Sequence, residues 1–319
     1  MILLYIILGS VVGFAFLILL TSFICFLITF YAAPQKPKEE FEIPPGEIYE
    51  PYRELMVNWM KEARKLNPKE VSIKSFDGLT LYGKYYEYSK DATIELMFHG
   101  YRGSAERDLC GGVQRCFALG RSCLIVDQRT AGKSGGRVIT FGVNESRDCL
   151  SWIDYIIENI NKDAKIIITG ISMGAATVTI AAGEKLPQNV IAALADCGYT
   201  SPKAIIKKVI KDLKMPPKLM YPFIKLGARI FGGFDLEKYS PIEAMKKCTI
   251  PIIFIHGTTD DFVPYEMSVE NFNACTHKVK KLVTVEGAGH GLAYLKNTDG
   301  YFKAIREFDE LLIAENKQN

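Results

Sequence analysis

The sequence predicts an α/β fold: an eight-stranded, mostly parallel sheet with helices on both faces, a small helical cap and an N-terminal transmembrane helix. Three observations predict it. From Val71 onward, short β-branched runs alternate with helix-length segments. Residues 2–33 carry no charged side chain. One connection, between Asp196 and Ile250, is too long for a plain loop. The composition of the 319 residues agrees: 48% apolar and 24% charged at a net charge of +3 suits one large domain with an appendage. The chain is too apolar for disorder and not basic enough to imply a nucleic-acid partner.

The appendage comes first. An uncharged run of this length exceeds the roughly 20 residues that a helix needs to cross a bilayer. A cleaved signal peptide would begin with a basic stretch and end in a small-x-small site. Here no Lys or Arg precedes the run, and Tyr31 occupies the −3 position. The expectation is therefore an uncleaved, single-pass anchor in the cell membrane over 1–33, with lipid as a partner. Lys36 and Lys38 follow it and place the body of the protein in the cytoplasm by the positive-inside tendency.

Residues 34–69 form a linker and juxtamembrane helix. The linker, PQKPKEEFEIPPGEIYEP (34–51), is rich in proline and charge, and regular structure is not expected there. Over 52–65, Leu55, Met56, Trp59 and Met60 recur near helical spacing, which predicts an amphipathic helix packed on the domain, with the lipid surface as the other placement.

The domain proper spans 70–319. VSIKSFD and LTLYGKYYEY flank Gly78 as a hairpin, and six further strands follow at 94–100, 122–128, 165–170, 190–196, 250–257 and 281–287. Helices are predicted at about 104–119, 145–160, 173–185, 264–274 and 299–315. An opening antiparallel pair followed by repeated strand–helix units implies a parallel sheet with both faces covered. The long connection, about 201–249, reads as a cap of two or more helices broken at Pro216 and Pro217. Its lysines, Lys203, Lys207, Lys208, Lys211, Lys214 and Lys218, suit a solvated helix face, with attachment to anionic lipid as the other reading. The eight cysteines contain no C-x-x-C pair, so buried free thiols are expected rather than a zinc site or a disulfide framework.

The chemistry centres on TGISMGAATV (169–178), which interrupts a β-branched run and continues at once into small, helix-forming residues. A Gly-x-Ser-x-Gly pentapeptide alone is weak. Between a strand and a helix it describes a nucleophile elbow, in which Gly170 and Gly174 let strand and helix approach around Ser172. A serine hydroxyl is a poor nucleophile at neutral pH and needs a base oriented by a carboxylate, in the chain order Ser, acid, His. IIFIHGTTDDFVP (252–264) ends a strand with Asp260 and Asp261, and VEGAGHG (285–291) ends the last strand with His290 among glycines. Asp261 is also a candidate helix cap. Two N–H donors should face the developing oxyanion. The Met173 amide follows the nucleophile, and the Tyr101 amide belongs to FHGYRGS (98–104), where His99 is expected to hold the loop. His277, in a lysine-rich stretch, is expected to be solvated.

HGYRGS after a strand, then VDQRTAGKSGG (126–136), GISMG, HGTTDDFVP and GAGHG together resemble the α/β-hydrolase superfamily. The similarity is strongest to its membrane-anchored bacterial branch, labelled serine aminopeptidase-like or prolyl-oligopeptidase-like, and covers about residues 70–315. It implies Ser172 as nucleophile, His290 as base and Asp260 as acid, because the pattern His-Gly-x-x-Asp-x-x-Val-Pro falls on His256 to Pro264. Asp261 and Asp196 remain alternatives for the acid. The chain departs at Arg129-Thr130-Ala131-Gly132, where relatives often carry Arg-Ala-His-Gly. The expectation is a membrane-anchored serine hydrolase acting on a small-molecule acyl substrate: a carboxylic ester, thioester or amide. It needs no metal or organic cofactor. A serine peptidase and a non-catalytic membrane scaffold are the alternatives.

Overall fold

The computed structural model describes residues 1–33 and 39–316. Lys36 and Lys38, on which the expected orientation rests, lie outside them. Eight strands form one sheet: β1 (Lys69–Lys74), β2 (Thr80–Tyr86), β3 (Ile94–Phe98), β4 (Ser122–Asp127), β5 (Ile166–Ile171), β6 (Val190–Asp196), β7 (Ile252–Gly257) and β8 (Lys280–Val285), in the order β1-β2-β4-β3-β5-β6-β7-β8. β2 runs antiparallel to β1 and β4, and every other pairing is parallel. β3 and β7 are buried along their whole length, as expected of strands covered on both faces.

The order reverses beside β3, whose two neighbours are β4 and β5. At such a switch point, loops leaving the carboxyl ends of adjacent strands diverge and leave a crevice. The loop after β3 and the turn after β5 therefore flank that crevice. Helices α3 (Ala105–Ala118), α4 (Glu145–Tyr155), α5 (Met173–Ala181), α9 (Glu266–Ala274), a short α10 (Ala293–Lys296) and α11 (Thr298–Asn316) complete the α/β layers. One large core cluster joins Leu96, Phe98, Trp152, Ile168, Val178 and Phe254. The helical stretch begun by α4 ends in a π-helical turn, Ile156–Ile160.

The cap consists of α6 (Pro202–Asp212), α7 (Pro217–Ile230) and α8 (Pro241–Met245), with α6 and α7 separated at Pro216. Ser201 caps α6, accepting the Ala204 N–H. Ahead of the sheet, α1 (Ile2–Thr29) is long and apolar enough to cross a membrane. α2 (Arg53–Lys65) buries Met56, Trp59 and Met60, while Leu55 stays exposed. The linker is more regular than its composition suggests, since Glu47–Tyr52 forms a 3₁₀ turn held on the domain through Tyr49.

α1 has two unlike parts. Its first five turns face outward, whereas Ser22 is buried, and Cys25, Phe26 and the following Phe30 are buried in one cluster with Ile139, Phe141, Met173 and the cap. Phe30 packs edge-on against Phe141 and Phe234, at 5.7 and 5.3 Å between ring centres. The chain then joins the domain by main-chain bonds, Ala32 N–H to the Arg137 carbonyl and Ile139 N–H to the Phe30 carbonyl.

Candidate active site

The turn from β5 into α5 is built for one kind of residue on either side of the serine. A Cβ on Gly170 would lie 2.0 Å from the Gly174 carbonyl oxygen, and one on Gly174 would lie 2.0 Å from the Phe98 carbonyl oxygen. Only glycine permits that approach. Ser172 takes φ 56°, ψ −115°, a conformation costing a non-glycine residue about 1–3 kcal/mol and sustained only where the surroundings over-determine it. One restraint is the bond from Ser172 N–H to the Asp196 carbonyl, 2.8 Å.

Ser172 Oγ lies 2.9 Å from His290 Nε2, and His290 Nδ1 lies 2.7 Å from Asp260 Oδ2. An ionised carboxylate only accepts, so Nδ1 carries the imidazole proton and Nε2 is left to accept from the serine hydroxyl. Asp260 is held by four donors. His290 and His256 (3.0 Å) serve Oδ2, while the Phe262 and Val263 amides (2.9 and 2.8 Å) serve Oδ1. Burial alone would raise this carboxyl. The hydrogen bonds from His256 and His290, the charge of His290 and the Val263 N–H outweigh it and hold the group at about 2. His256 is oriented in turn, accepting from Ser268 Oγ at Nδ1 (2.7 Å).

The other carboxylates lie elsewhere. Asp261 is exposed, is not the cap of α9, and contributes its backbone carbonyl to Lys208 Nζ. Asp196 is buried and accepts from Tyr301 Oη at 2.9 Å, and burial raises its carboxyl above the ordinary range. Of the three acids weighed from the sequence, Asp260 alone hydrogen-bonds His290 among the described residues.

Opposite His290, the Gly100–Tyr101 backbone closes on the serine, and a Cβ on Gly100 would stand 3.6 Å from Ser172 Cβ. The Tyr101 amide and the Met173 amide at the start of α5 thus flank Ser172, and among the described residues neither donates a hydrogen bond. His99 holds this loop, its Nδ1 donating to the Gly100 carbonyl (2.8 Å) and its Nε2 accepting from the Gln128 amide (3.0 Å). The loop's outer side grips α1. Tyr101 Oη donates to the Thr29 carbonyl, and Arg102 donates to the Ile28 and Tyr31 carbonyls, at 2.8–3.1 Å.

Sequence reasoning missed several neighbours. Tyr49 Oη donates to the His290 carbonyl at 2.9 Å and fixes the His loop from a segment 241 positions away. The Phe262 ring stands 5.1 Å from the His290 ring, covering the imidazole. His256 belongs to the quoted HGTTDDFVP, where a histidine four positions before the acid was the available signal. His277 is only half-buried rather than solvated, with Nε2 3.6 Å from Glu315, because α11 packs over it.

Cys197 Sγ, Asp260 and His290 offer ligand atoms within 4.8 Å of one another. A soft cation there would have to displace the Asp260–His290 bond and deprotonate a thiol that burial holds well above its ordinary value. Proton transfer from Ser172 to His290 uses the same groups with no such rearrangement. A separate polar cleft of about 800 Å³ reaches His99, Arg102 and Met173, but Ser172 does not line it.

Comparison with known proteins agrees with this architecture. Residues 140–310, more than half of the chain, match the model of the prolyl oligopeptidase family. The uncharacterised protein YqkD of Bacillus subtilis is 28% identical over 60% of this chain and 62% of its own length. Protein bem46 of Schizosaccharomyces pombe is 29% identical over 70% of this chain and 68% of its own. The chain thus spans less than two thirds of YqkD. Among solved structures, a Pyrococcus furiosus esterase superposes with a TM-score of 0.66 at 20% identity, covering 87% of this chain and 97% of that one. Est1E of Butyrivibrio proteoclasticus, solved with ferulic acid bound, superposes at 0.59 with 22% identity over 76% and 99%. At these identities the superpositions establish the α/β-hydrolase fold. With the family match across more than half its length, this chain belongs to the prolyl oligopeptidase family of α/β-hydrolases.

Proposed function

We propose that the protein is a membrane-anchored serine hydrolase that cleaves carboxylic esters, or thioesters and amides, through an acyl-enzyme. The observation that carries this reading is the continuous chain of short contacts from Ser172 Oγ through His290 to Asp260. Ser172 Oγ attacks the substrate carbonyl carbon while its proton passes to His290 Nε2, and Asp260 stabilises the imidazolium. The Tyr101 and Met173 amides receive the oxyanion. Collapse of the tetrahedral adduct expels the leaving group, which takes the proton from Nε2. Water, deprotonated by His290, then releases the acid and restores Ser172.

The related esterase structures favour ester cleavage, and the family match favours peptide cleavage as the second reading. The test pairs a fluorophosphonate probe with two substrate series. The full chain is expected to be labelled, and Ser172→Ala is expected to abolish labelling and lower p-nitrophenyl ester hydrolysis about 10⁴-fold or more. Faster turnover of aminoacyl amides than of acyl esters would replace the esterase reading with the peptidase one. Absence of labelling in the folded, unmodified protein would leave the non-catalytic scaffold.

A further inference from the structure

The net charge of +3 conceals an uneven distribution. Residues 202–230, the α6–α7 hairpin, hold eight cations (Lys203, Lys207, Lys208, Lys211, Lys214, Lys218, Lys225, Arg229) against one carboxylate, Asp212. Lys203 and Lys225 pair with Glu237, and Lys208 pairs with Asp212. Lys211, Lys214, Lys218 and Arg229 are exposed and have no ion-pair partner among the described residues. Large apolar side chains lie exposed among them: Leu213 at 62%, Leu219 at 60% and Ile230 at 50%, with Met215 and Phe231 beside them. A solvated helix face would carry the cations without this apolar group. Both together describe a surface for the boundary between head groups and acyl chains.

The placement of α1 says what covers it. At 1.5 Å per residue, positions 2–21 span about 30 Å, the thickness of a bilayer core. The boundary of the leaflet therefore falls near Ser22. There α7 meets α1: a Cβ on Gly227 would lie 2.4 Å from the Ser22 carbonyl oxygen, and the Phe231 ring stands 5.0 Å from Phe23. The C-terminal end of α7, which carries exposed Arg229, Ile230 and Phe231, is thus held at the depth where α1 leaves the hydrocarbon. We propose that the α6–α7 hairpin docks on the head-group layer of an anionic leaflet beside α1. Its apolar side chains enter the boundary, and its four free cations face lipid phosphates. The inference rests on the anchor reading of α1. It bears on the site, because the inner face of the hairpin (Ile205, Ile206, Ile210, Tyr221, Ile224) packs in one cluster with Met173 and Val263.

The test uses the full chain, reconstituted into vesicles of phosphatidylcholine alone or with about one third phosphatidylglycerol. Leu219→Trp and, as a second reporter, Ile230→Trp are compared with Leu311→Trp at an exposed position of α11, against the constant background of buried Trp59 and Trp152. A lipid carrying a nitroxide near the head group is the quencher. The expected result is at least twofold stronger quenching at 219 and 230 than at 311. The excess should grow with phosphatidylglycerol and shrink in high salt or in K211E/K214E/K218E. Quenching equal to that of Leu311→Trp, or indifferent to anionic lipid, overturns the docking. So does protection of both reporters from lipid and aqueous quenchers alike, which would place a second copy on the face. Extraction of the chain by alkaline carbonate overturns the anchor itself, and the docking with it.

Discussion

The two sides of Ser172, proposed above to serve acid–base chemistry and oxyanion binding, are assembled by different means. On the acid–base side, Asp260 takes its donors from His256, Phe262 and Val263, all within four positions in the chain, and His290 is its one distant partner. On the oxyanion side, the Tyr101–Arg102 loop is held by carbonyls of α1 more than 70 positions away, and Met173 packs in a cluster completed by Phe26 and Phe30. The first side is a local turn that presents a carboxylate. The second is a joint between the hydrolase body and the segment proposed to lie in the membrane. Damage to the first should therefore remove chemistry and leave the fold, whereas damage to the second should loosen the fold and lower turnover with it.

The largest effect separates the carboxylates. Asp260→Asn keeps the shape but removes the acceptor that orients His290 and stabilises its charge, so turnover should fall by roughly 10⁴-fold. Asp261→Asn, at an exposed side chain that touches neither His290 nor Ser172, should stay within about twofold, as surface changes usually do. Steady-state rates on one acyl ester decide between them. Equal losses would mean that the local turn does not present one acid in preference to the other.

Next comes the joint. Phe30 is fully buried between Phe141 and Phe234 although it lies one residue beyond a helix apolar enough for lipid. Phe30→Ala should cost about 3–5 kcal/mol in unfolding of the hydrolase domain, as truncation of a buried aromatic does. Phe16→Ala, at an exposed position in the outward-facing part of α1, should leave that domain unchanged. Denaturant midpoints of the detergent-solubilised chain measure both. If the two variants behave alike, the last turns of α1 belong to the anchor and not to the domain.

A smaller effect is expected at Arg102, whose guanidinium joins the Ile28 and Tyr31 carbonyls to the loop that carries the Tyr101 amide. It touches no reacting atom and acts by position. Arg102→Ala should lower kcat by about three- to tenfold, which corresponds to the roughly 1 kcal/mol net worth of such a hydrogen bond. KM should change little, and Arg102→Lys should restore part of the loss. A change in KM alone would assign Arg102 to substrate binding through the adjoining polar cleft.

What could be read from the sequence follows the same division. The eight strands and the elbow were legible because their signals are short-range: β-branched runs, glycines two positions either side of Ser172, and turn residues at strand ends. Chain order and strand ends pointed to Ser172, His290 and the pair Asp260/Asp261, and the resemblance of HGTTDDFVP to the family pattern singled out Asp260. On the other side the Tyr101 and Met173 amides were expected, but their anchorage on α1 was not legible. Nothing in the uniformly apolar stretch 2–33 distinguishes Phe26 and Phe30 from Phe14 and Phe16, since a residue suited to lipid is equally suited to a protein core. The acid–base side has one such remote contact too: Tyr49 sits in a proline- and charge-rich linker whose local composition gives no sign that its hydroxyl reaches the His290 carbonyl, and the 3₁₀ turn forms around it.

The acid–base side also makes a prediction about pH, the smallest in size. Asp260 is held at about 2 in the fold, against an ordinary value of 3.8. Between those values the unfolded chain binds a proton that the folded chain does not, so stability rises with pH across that window. The contribution is complete above about pH 5 and is lost as the pH falls toward 2. Glu95, buried between Arg115 and Arg121, is likewise held at about 2 against 4.5 and steepens the same acid limb from inside the sheet. Asp260→Asn removes one of these two protons and leaves the other. The urea midpoint should therefore fall less steeply from pH 5 to 2.5 in Asp260→Asn than in the unmodified protein, and the curves should run parallel above pH 5. Identical slopes would show that the donors around Asp260 do not hold it ionised, and the contrast between its tightly supplied turn and the looser oxyanion joint would lose its electrostatic basis.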